Sequence, residues 1–304
     1  MECGGSLRVS LGRAADHVPA TCSAFSAIDE PLPGTAAVVH RWLCIEHPGA
    51  WGRDVVGDAP LGAELTAELD RRCNAAGFRL MLIRRPGRPI NSSMRQVFIA
   101  SSVVGDEWCE RLEVSSAAEL LDIPFENGGV GTPVTDTIVL VCAHGKRDQC
   151  CARLGRPIAS GLALTFPDHV WECSHTGGHR FAPSLIMLPS GYTYGRLDLE
   201  GAQKVIEMAR NGSVSQHGLR GRSCYSPGAQ AAEIAIRELV DATAGELTVE
   251  ASEDAFVVSH QDGRSWGVEV TASKLPPREV SCGASPKPVE ILAVSRVWAR
   301  NAPK

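Results

Sequence analysis

The stretch Thr137-Ile138-Val139-Leu140-Val141-Cys142-Ala143-His144-Gly145-Lys146-Arg147-Asp148-Gln149-Cys150-Cys151 passes from an unbroken apolar run, through a polar turn, into a segment opened by an aspartate. The apolar run predicts a buried strand, and Asp148 predicts the N-cap of a helix. Cys142 then ends the strand and Cys151 falls in the first helical turn, so the loop between them brings two sulfurs to one end of a sheet. The amides of a helix N-terminus point to that end, where they stabilise thiolates. Pro157 lacks the amide hydrogen a helix interior needs, so a kink or two short helices are expected after Asp148.

Further along, His169 to Cys173 reads as a strand, Leu185 to Leu188 and Tyr192 to Tyr194 as a strand pair, and Asp198 as the cap of a helix carrying Leu199, Ala202, Ile206 and Ala209 on one face. That helix is expected to end at Asn211-Gly212. Strand, helix, strand, two hairpin strands and a helix is a thioredoxin-like order. The same order starts earlier in the chain. Val38 to Ile45 reads as a strand and His47 to Asp54 as a turn-rich loop. Leu61, Leu65, Leu69 and Cys73 mark a helix capped by Gly77, and Phe78 to Ile83 and Gln96 to Ala100 read as strands. The expected organisation is therefore α/β: a tail over 1–20, an N-terminal thioredoxin-like module over 21–130 acting as a pseudo-repeat, a thioredoxin-like domain over 131–215, and a small α+β module over 216–304. In the last of these Ser226-Pro227 caps a helix whose Ala232, Ile236, Leu239 and Val240 face a core, followed by a meander through Leu247 to Val249, Phe256 to Val258 and Trp266 to Val270, with a hairpin turn at Asp262-Gly263.

His175-Thr176-Gly177-Gly178-His179 follows the strand that ends at Cys173. The paired glycines disfavour a helix and favour a tight loop. Two strand-end loops thus offer Cys142, Cys151, His175 and His179, a four-ligand set of two thiolates and two imidazoles. Tetrahedral zinc and a [2Fe–2S] cluster with two histidines on one iron both match that set. Cys150 is an alternative partner for Cys142, but it is rotated about 100° from Cys151 around a helix, so only one of the two faces the loop.

Cys142 to Asp148 with Cys151, His175 to Ala182, and Tyr194-Gly195 resemble the sucrase/ferredoxin-like family, thioredoxin-like ferredoxins with fungal and many actinobacterial members. Cys22-Ser23, the stretch from Trp42 to Asp54, and Ser281-Cys282-Gly283 are similar to its bacterial, actinobacterial-type branch. The resemblance implies a thioredoxin-like ferredoxin domain whose [2Fe–2S] cluster is bound by Cys142 and Cys151 on one iron and by His175 and His179 on the other. Neutral imidazoles in place of two thiolates raise the potential, and their second ring N–H couples reduction to protonation. The implied activity is electron transfer with an unidentified redox partner protein. No roles are assigned to Cys22, Cys150, Cys173, Cys224 and Cys282.

Lys146 and Arg147 between the cysteines either steer an acidic partner or pair with Asp148, while Trp171 and Phe181 are expected to pack against the histidine loop. A structural zinc module is the main alternative and predicts a colourless protein. A thiol–disulfide oxidoreductase is a second alternative, weakened because no Cys-x-x-Cys opens the helix and adjacent cysteines form strained disulfides. A glycosidase is excluded for want of paired carboxylates flanked by aromatic platforms, with aromatics only 5% of residues. Gly-rich phosphate loops are missing too. Carrier and one-electron reductase remain open, with a carrier the more expected.

A net charge of −5 and dispersed basic residues argue against nucleic acid. No apolar run is long enough to span a membrane, and the first twenty residues lack the apolar core of a secretory signal. Eleven cysteines in such a chain, expected in the reducing cytoplasm, read as core thiols and ligands instead of a disulfide framework.

Overall fold

The computed structural model describes residues 21–87 and 93–300. The expected tail over 1–20 lies outside them. A short helix, α1 (Cys22–Asp29), leads into β1 (Arg41–Glu46), α2 (Ala63–Ala76), β2 (Phe78–Arg84), β3 (Arg95–Val103), β4 (Asp106–Val114) and a two-residue β5 (Thr132–Pro133). Then come β6 (Ile138–Cys142), α3 (Gln149–Thr165), β7 (Val170–Cys173), β8 (Ser184–Leu188), β9 (Tyr192–Gly195), α4 (Leu199–Arg210) and β10 (Leu219–Arg222). α5 (Pro227–Arg237) precedes a meander of β11 (Leu247–Ala251), β12 (Phe256–His260), β13 (Ser265–Arg278) and β14 (Lys287–Arg300).

The architecture is mixed α/β, with one large mixed sheet and a second small antiparallel sheet. The large sheet has the order β10-β9-β8-β6-β7-β2-β1-β3-β4-β5, and the small one runs β11 to β14 in sequence. Within the large sheet β1 pairs parallel to β2 and antiparallel to β3, and β6 pairs parallel to β7 and antiparallel to β8. The two sets meet where β2 pairs antiparallel with β7, Ile83 opposite Cys173. One hydrophobic layer is therefore continuous through both: Trp42, Cys44, Ile83, Phe98, Leu140, Trp171 and Cys173 share it. The alternate residues of the same strands feed separate layers, Leu43 and Leu82 packing with Leu69 of α2, and Val139 and Val141 packing with Ala159 and Leu162 of α3. Nearly every residue of β6 and β7 is apolar because both faces are covered.

Helix termini follow the residues that cap them. Asp148 accepts from the Cys150 N–H at 2.8 Å and Asp198 from the Gly201 N–H at 2.8 Å. Gly77 closes α2 in the left-handed region, φ 72°. Pro157 departs from expectation: α3 is one continuous helix of 17 residues. Pro157 and Arg153 both lie on the exposed side of the helix, where a lost backbone hydrogen bond costs least, and the buried face through Cys151, Gly155, Ala159 and Leu162 holds the helix to the sheet. Leu239 departs as well. α5 ends at Arg237, leaving Leu239 62% exposed, while Ala232 and Ile236 are buried against the small sheet.

Gly155 sets how closely α3 approaches the end of β6, since an added Cβ would run into the carbonyl of Cys142. Gly161, one turn and a half on, would meet only the side chain of Leu199. Gly155→Ala should lower stability by about 1–3 kcal/mol through backbone displacement, and Gly161→Ala should cost clearly less, as read from urea midpoints of the two variants against the parent.

Candidate metal centre

Cys142 leaves β6 beside Cys173 of β7, its direct partner in register, and both chains turn into loops at that edge. Cys142, Cys151 and His175 converge there, their ligating atoms all within 4.8 Å of one another. The Nδ1 of His175 lies 4.0 Å from each of the two sulfurs. His179 follows in a short turn of 3-10 helix after Gly177 and Gly178, both at positive φ, 94° and 70°. Its ring centroid is 5.0 Å from that of His175, and its buried Nδ1 has no hydrogen-bond partner. Three of the four expected ligands thus close on one point, and the fourth stands beside them with an unpartnered donor atom. Two thiols and two imidazoles are donors that could hold a metal ion.

A hydrogen bond from Cys151 and the adjacent His175 hold the Cys142 thiol well below its ordinary range, and the Cys142 thiolate pushes Cys151 up. Burial pushes His179 down, which keeps it neutral and able to bind a cation. Arg79 donates to the His175 carbonyl at 2.8 Å, and Arg220, fully buried, donates to the Gly177 carbonyl at 3.3 Å and the Ser184 hydroxyl at 2.8 Å. Burial lowers both guanidinium pKa values, Arg220 to about 9, with the thiols of Cys142, Cys173 and Cys151 pulling the other way. Both cations therefore favour the thiolate of Cys142.

His144, lying between the cysteines in sequence, is a structural part of the centre that pattern reading missed. Its Nδ1 receives the His175 N–H at 3.1 Å, so its Nε2, 2.9 Å from the Gly52 carbonyl, must carry the hydrogen. Burial lowers its pKa, in keeping with that neutral tautomer, and Trp51 packs edge-on against its ring. The signal is a soft residue beside three cysteines in one short stretch, which chemistry alone assigns as readily to filler.

Other residues fall as follows. Cys150 faces away from Cys142 and contacts Cys22 and Cys282, while Cys173 is core. Arg147 pairs with Asp54 at 3.7 Å on the surface and not with Asp148, which is turned inward to cap α3 and lies 3.8 Å from Nε2 of His179. Trp171 is buried in the common layer; Phe181 is buried beneath the guanidiniums of Arg180, Arg196 and Arg220 at 4.4, 5.3 and 4.8 Å.

The sucrase/ferredoxin-like family model matches residues 32–221, so the chain belongs to the sucrase/ferredoxin-like family. It is also 28% identical over 127 residues to the "Altered inheritance of mitochondria protein 32" of Meyerozyma guilliermondii, covering 36% of this chain and 44% of that relative. The chain thus spans less than half of the length of that curated relative. No solved structure matches. Among the described residues no helix is long and apolar enough to cross a membrane.

His144→Phe removes the acceptor for a part-buried N–H and should cost about 1 kcal/mol. His144→Asn, with an oxygen near the position of Nδ1, should recover part of the loss. Urea denaturation of the metal-free proteins measures both.

Proposed function

We propose that this protein is an electron carrier holding one [2Fe–2S] cluster through Cys142, Cys151, His175 and His179. The observation that carries the reading is the convergence of Cys142, Cys151 and His175 with the unpartnered, buried Nδ1 of His179 alongside. Family membership supports the same reading, since the family is described as ferredoxin-like. The repeated pairing of a parallel β–α–β unit with an antiparallel strand pair, β1 to β4 and again β6 to β9, supports thioredoxin-like modules as a pseudo-repeat. On this reading the ferredoxin domain spans 131–215, the module over 21–130 precedes it and the α+β module over 216–304 follows. The bacterial-type stretches around Cys22 and Cys282 favour an actinobacterial-type member working in the cytoplasm with a separate redox protein.

When bound, such a cluster supplies one-electron chemistry at a potential above that of four-cysteine plant-type ferredoxins. The chain's own groups set its surroundings. Arg79 and Arg220 place positive charge near the thiolates and favour the added electron. His144 fixes the start of the histidine loop by accepting the His175 N–H. His175 is only partly buried and lines a cleft of about 490 Å³ with Arg53, Arg79, Arg147 and the carboxylates of Asp54 and Asp70, which gives a partner of mixed charge an approach to the imidazole edge. An imidazole held by iron keeps a second ring N–H, which would couple electron uptake to proton uptake, so that the potential would fall by about 59 mV per pH unit above the oxidised-state pKa.

Mononuclear zinc is the second reading. Tetrahedral bonds of about 2.3 Å to sulfur and 2.0 Å to nitrogen put ligand atoms roughly 3.5 Å apart, within half an ångström of the 4.0 Å spacings around His175.

Anaerobic purification followed by iron and acid-labile sulfide analysis, visible spectra and EPR after dithionite separates the two. The cluster reading predicts a brown protein with two irons per chain, a Rieske-like reduced signal, and a shift towards a plant-type signal in His175→Cys and His179→Cys. A colourless protein whose zinc is lost in Cys142→Ser would overturn it. Potentiometry across pH tests the coupling, for which a potential constant through neutral and alkaline pH is the contrary result.

A further inference from the structure

We infer that Cys22, Cys150, Cys282 and Asp148 form a second metal site, a mononuclear tetrahedral one for zinc, separate from the Cys142 centre. The three sulfurs come from α1, the first turn of α3 and the loop between β13 and β14, and they form a closed triangle. Cys22 is 3.6 Å from Cys150, Cys150 is 3.3 Å from Cys282, and Cys282 is 3.5 Å from Cys22. A carboxylate oxygen of Asp148 lies 3.9 Å from the Cys22 sulfur, and the four ligating atoms all fall within 4.8 Å of one another.

Bonds of about 2.3 Å to a tetrahedral ion set sulfurs roughly 3.8 Å apart, close to this triangle. A [2Fe–2S] cluster takes at most two protein ligands on each iron, so a third cysteine would sit on the other iron and further off than this triangle allows. A disulfide joins two sulfurs at about 2.05 Å and leaves a third unexplained. Three thiolates and a carboxylate are a ligand set that suits zinc.

The surroundings are built for anionic sulfur. The Ser23 hydroxyl donates to the Cys150 sulfur at 3.3 Å, and the Cys22 N–H points to the Cys282 sulfur at 3.5 Å. Asp148 is held from three sides, by the N–H of Cys150 at 2.8 Å, the N–H of Cys282 at 3.0 Å and the Ser281 hydroxyl at 2.8 Å. Such hydrogen bonds orient ligands in established metal sites. Binding of the dication releases to solvent the protons that the sulfurs still carry and forms three metal–sulfur bonds and one metal–oxygen bond, with no change of oxidation state. The ion would pin two segments distant in sequence, α1 and the β13–β14 loop, to the helix that carries Cys151.

The test is zinc and iron analysis of the full chain purified under reducing conditions, with zinc-edge X-ray absorption on the unmutated protein. The expected result is one zinc per chain with three sulfurs at about 2.3 Å and one oxygen at about 2.0 Å. Cys282→Ser, at a partly exposed loop position, should weaken zinc retention against a chelator at least tenfold while far-UV circular dichroism and iron content stay as in the parent. Cys142→Ser should lose iron and keep zinc, so the two centres fail independently. A protein without zinc, a zinc shell of two sulfurs and two nitrogens, or a disulfide among Cys22, Cys150 and Cys282 in the reduced preparation would each overturn the inference.

Discussion

Everything at the centre depends on how the first turn of α3 is fixed against the end of β6. Two contacts do it: the carboxylate of Asp148 on the N–H of Cys150, and the absence of a side chain at Gly155 where the helix meets the Cys142 carbonyl. Together they rotate Cys151 toward Cys142 and turn Cys150 the other way. A helix advances about 100° per residue, so two adjacent cysteines can serve two different environments only if the helix phase is fixed. The cap and the glycine fix it.

Asp148 has a place in both environments. Burial would raise its pKa, but the backbone N–H groups of Cys150 and Cys282 and the Ser281 hydroxyl bring it below the usual carboxylate range, so it remains an anion. One oxygen lies 3.9 Å from the Cys22 sulfur and 3.8 Å from Nε2 of His179. A buried anion of this kind is costly unless fully paired, and here its partners come from α1, α3, the histidine turn and the β13–β14 loop. That convergence ties the family core to the segments on either side of it.

Local pattern made much of the fold legible. The apolar runs of β1, β2, β6 and β8, the caps at Asp148, Asp198 and Ser226, and the left-handed Gly77 carry their signals within a few residues. β4, β10 and β14 carry no such run, because charged residues interrupt them: Asp106, Glu107, Glu110, Arg111 and Glu113 in β4, Arg220 and Arg222 in β10, and Lys287, Glu290, Arg296 and Arg300 in β14. Those charges are satisfied across the fold, Glu110 by the N–H groups of Gly129, Val130 and Gly131, and Arg220 by Thr35, Gly177 and Ser184. Pro157 misled for the opposite reason, a local signal overridden by packing on the far face of its helix. Among site residues, two pairs at strand ends pointed to Cys142, Cys151, His175 and His179, whereas Cys22 and Cys282 stand 128 and 132 residues from Cys150. No periodicity links such positions, and only the folded chain brings them together.

The central claim is mixed sulfur and imidazole ligation of a redox-active diiron unit. Electron–nuclear double resonance of the dithionite-reduced protein, grown with 15N-labelled histidine, addresses it directly. Two strongly coupled imidazole nitrogens are predicted, one of them lost in each of the single histidine variants. A reduced iron signal with no coupled histidine nitrogen, or no paramagnetic iron at all, contradicts the account.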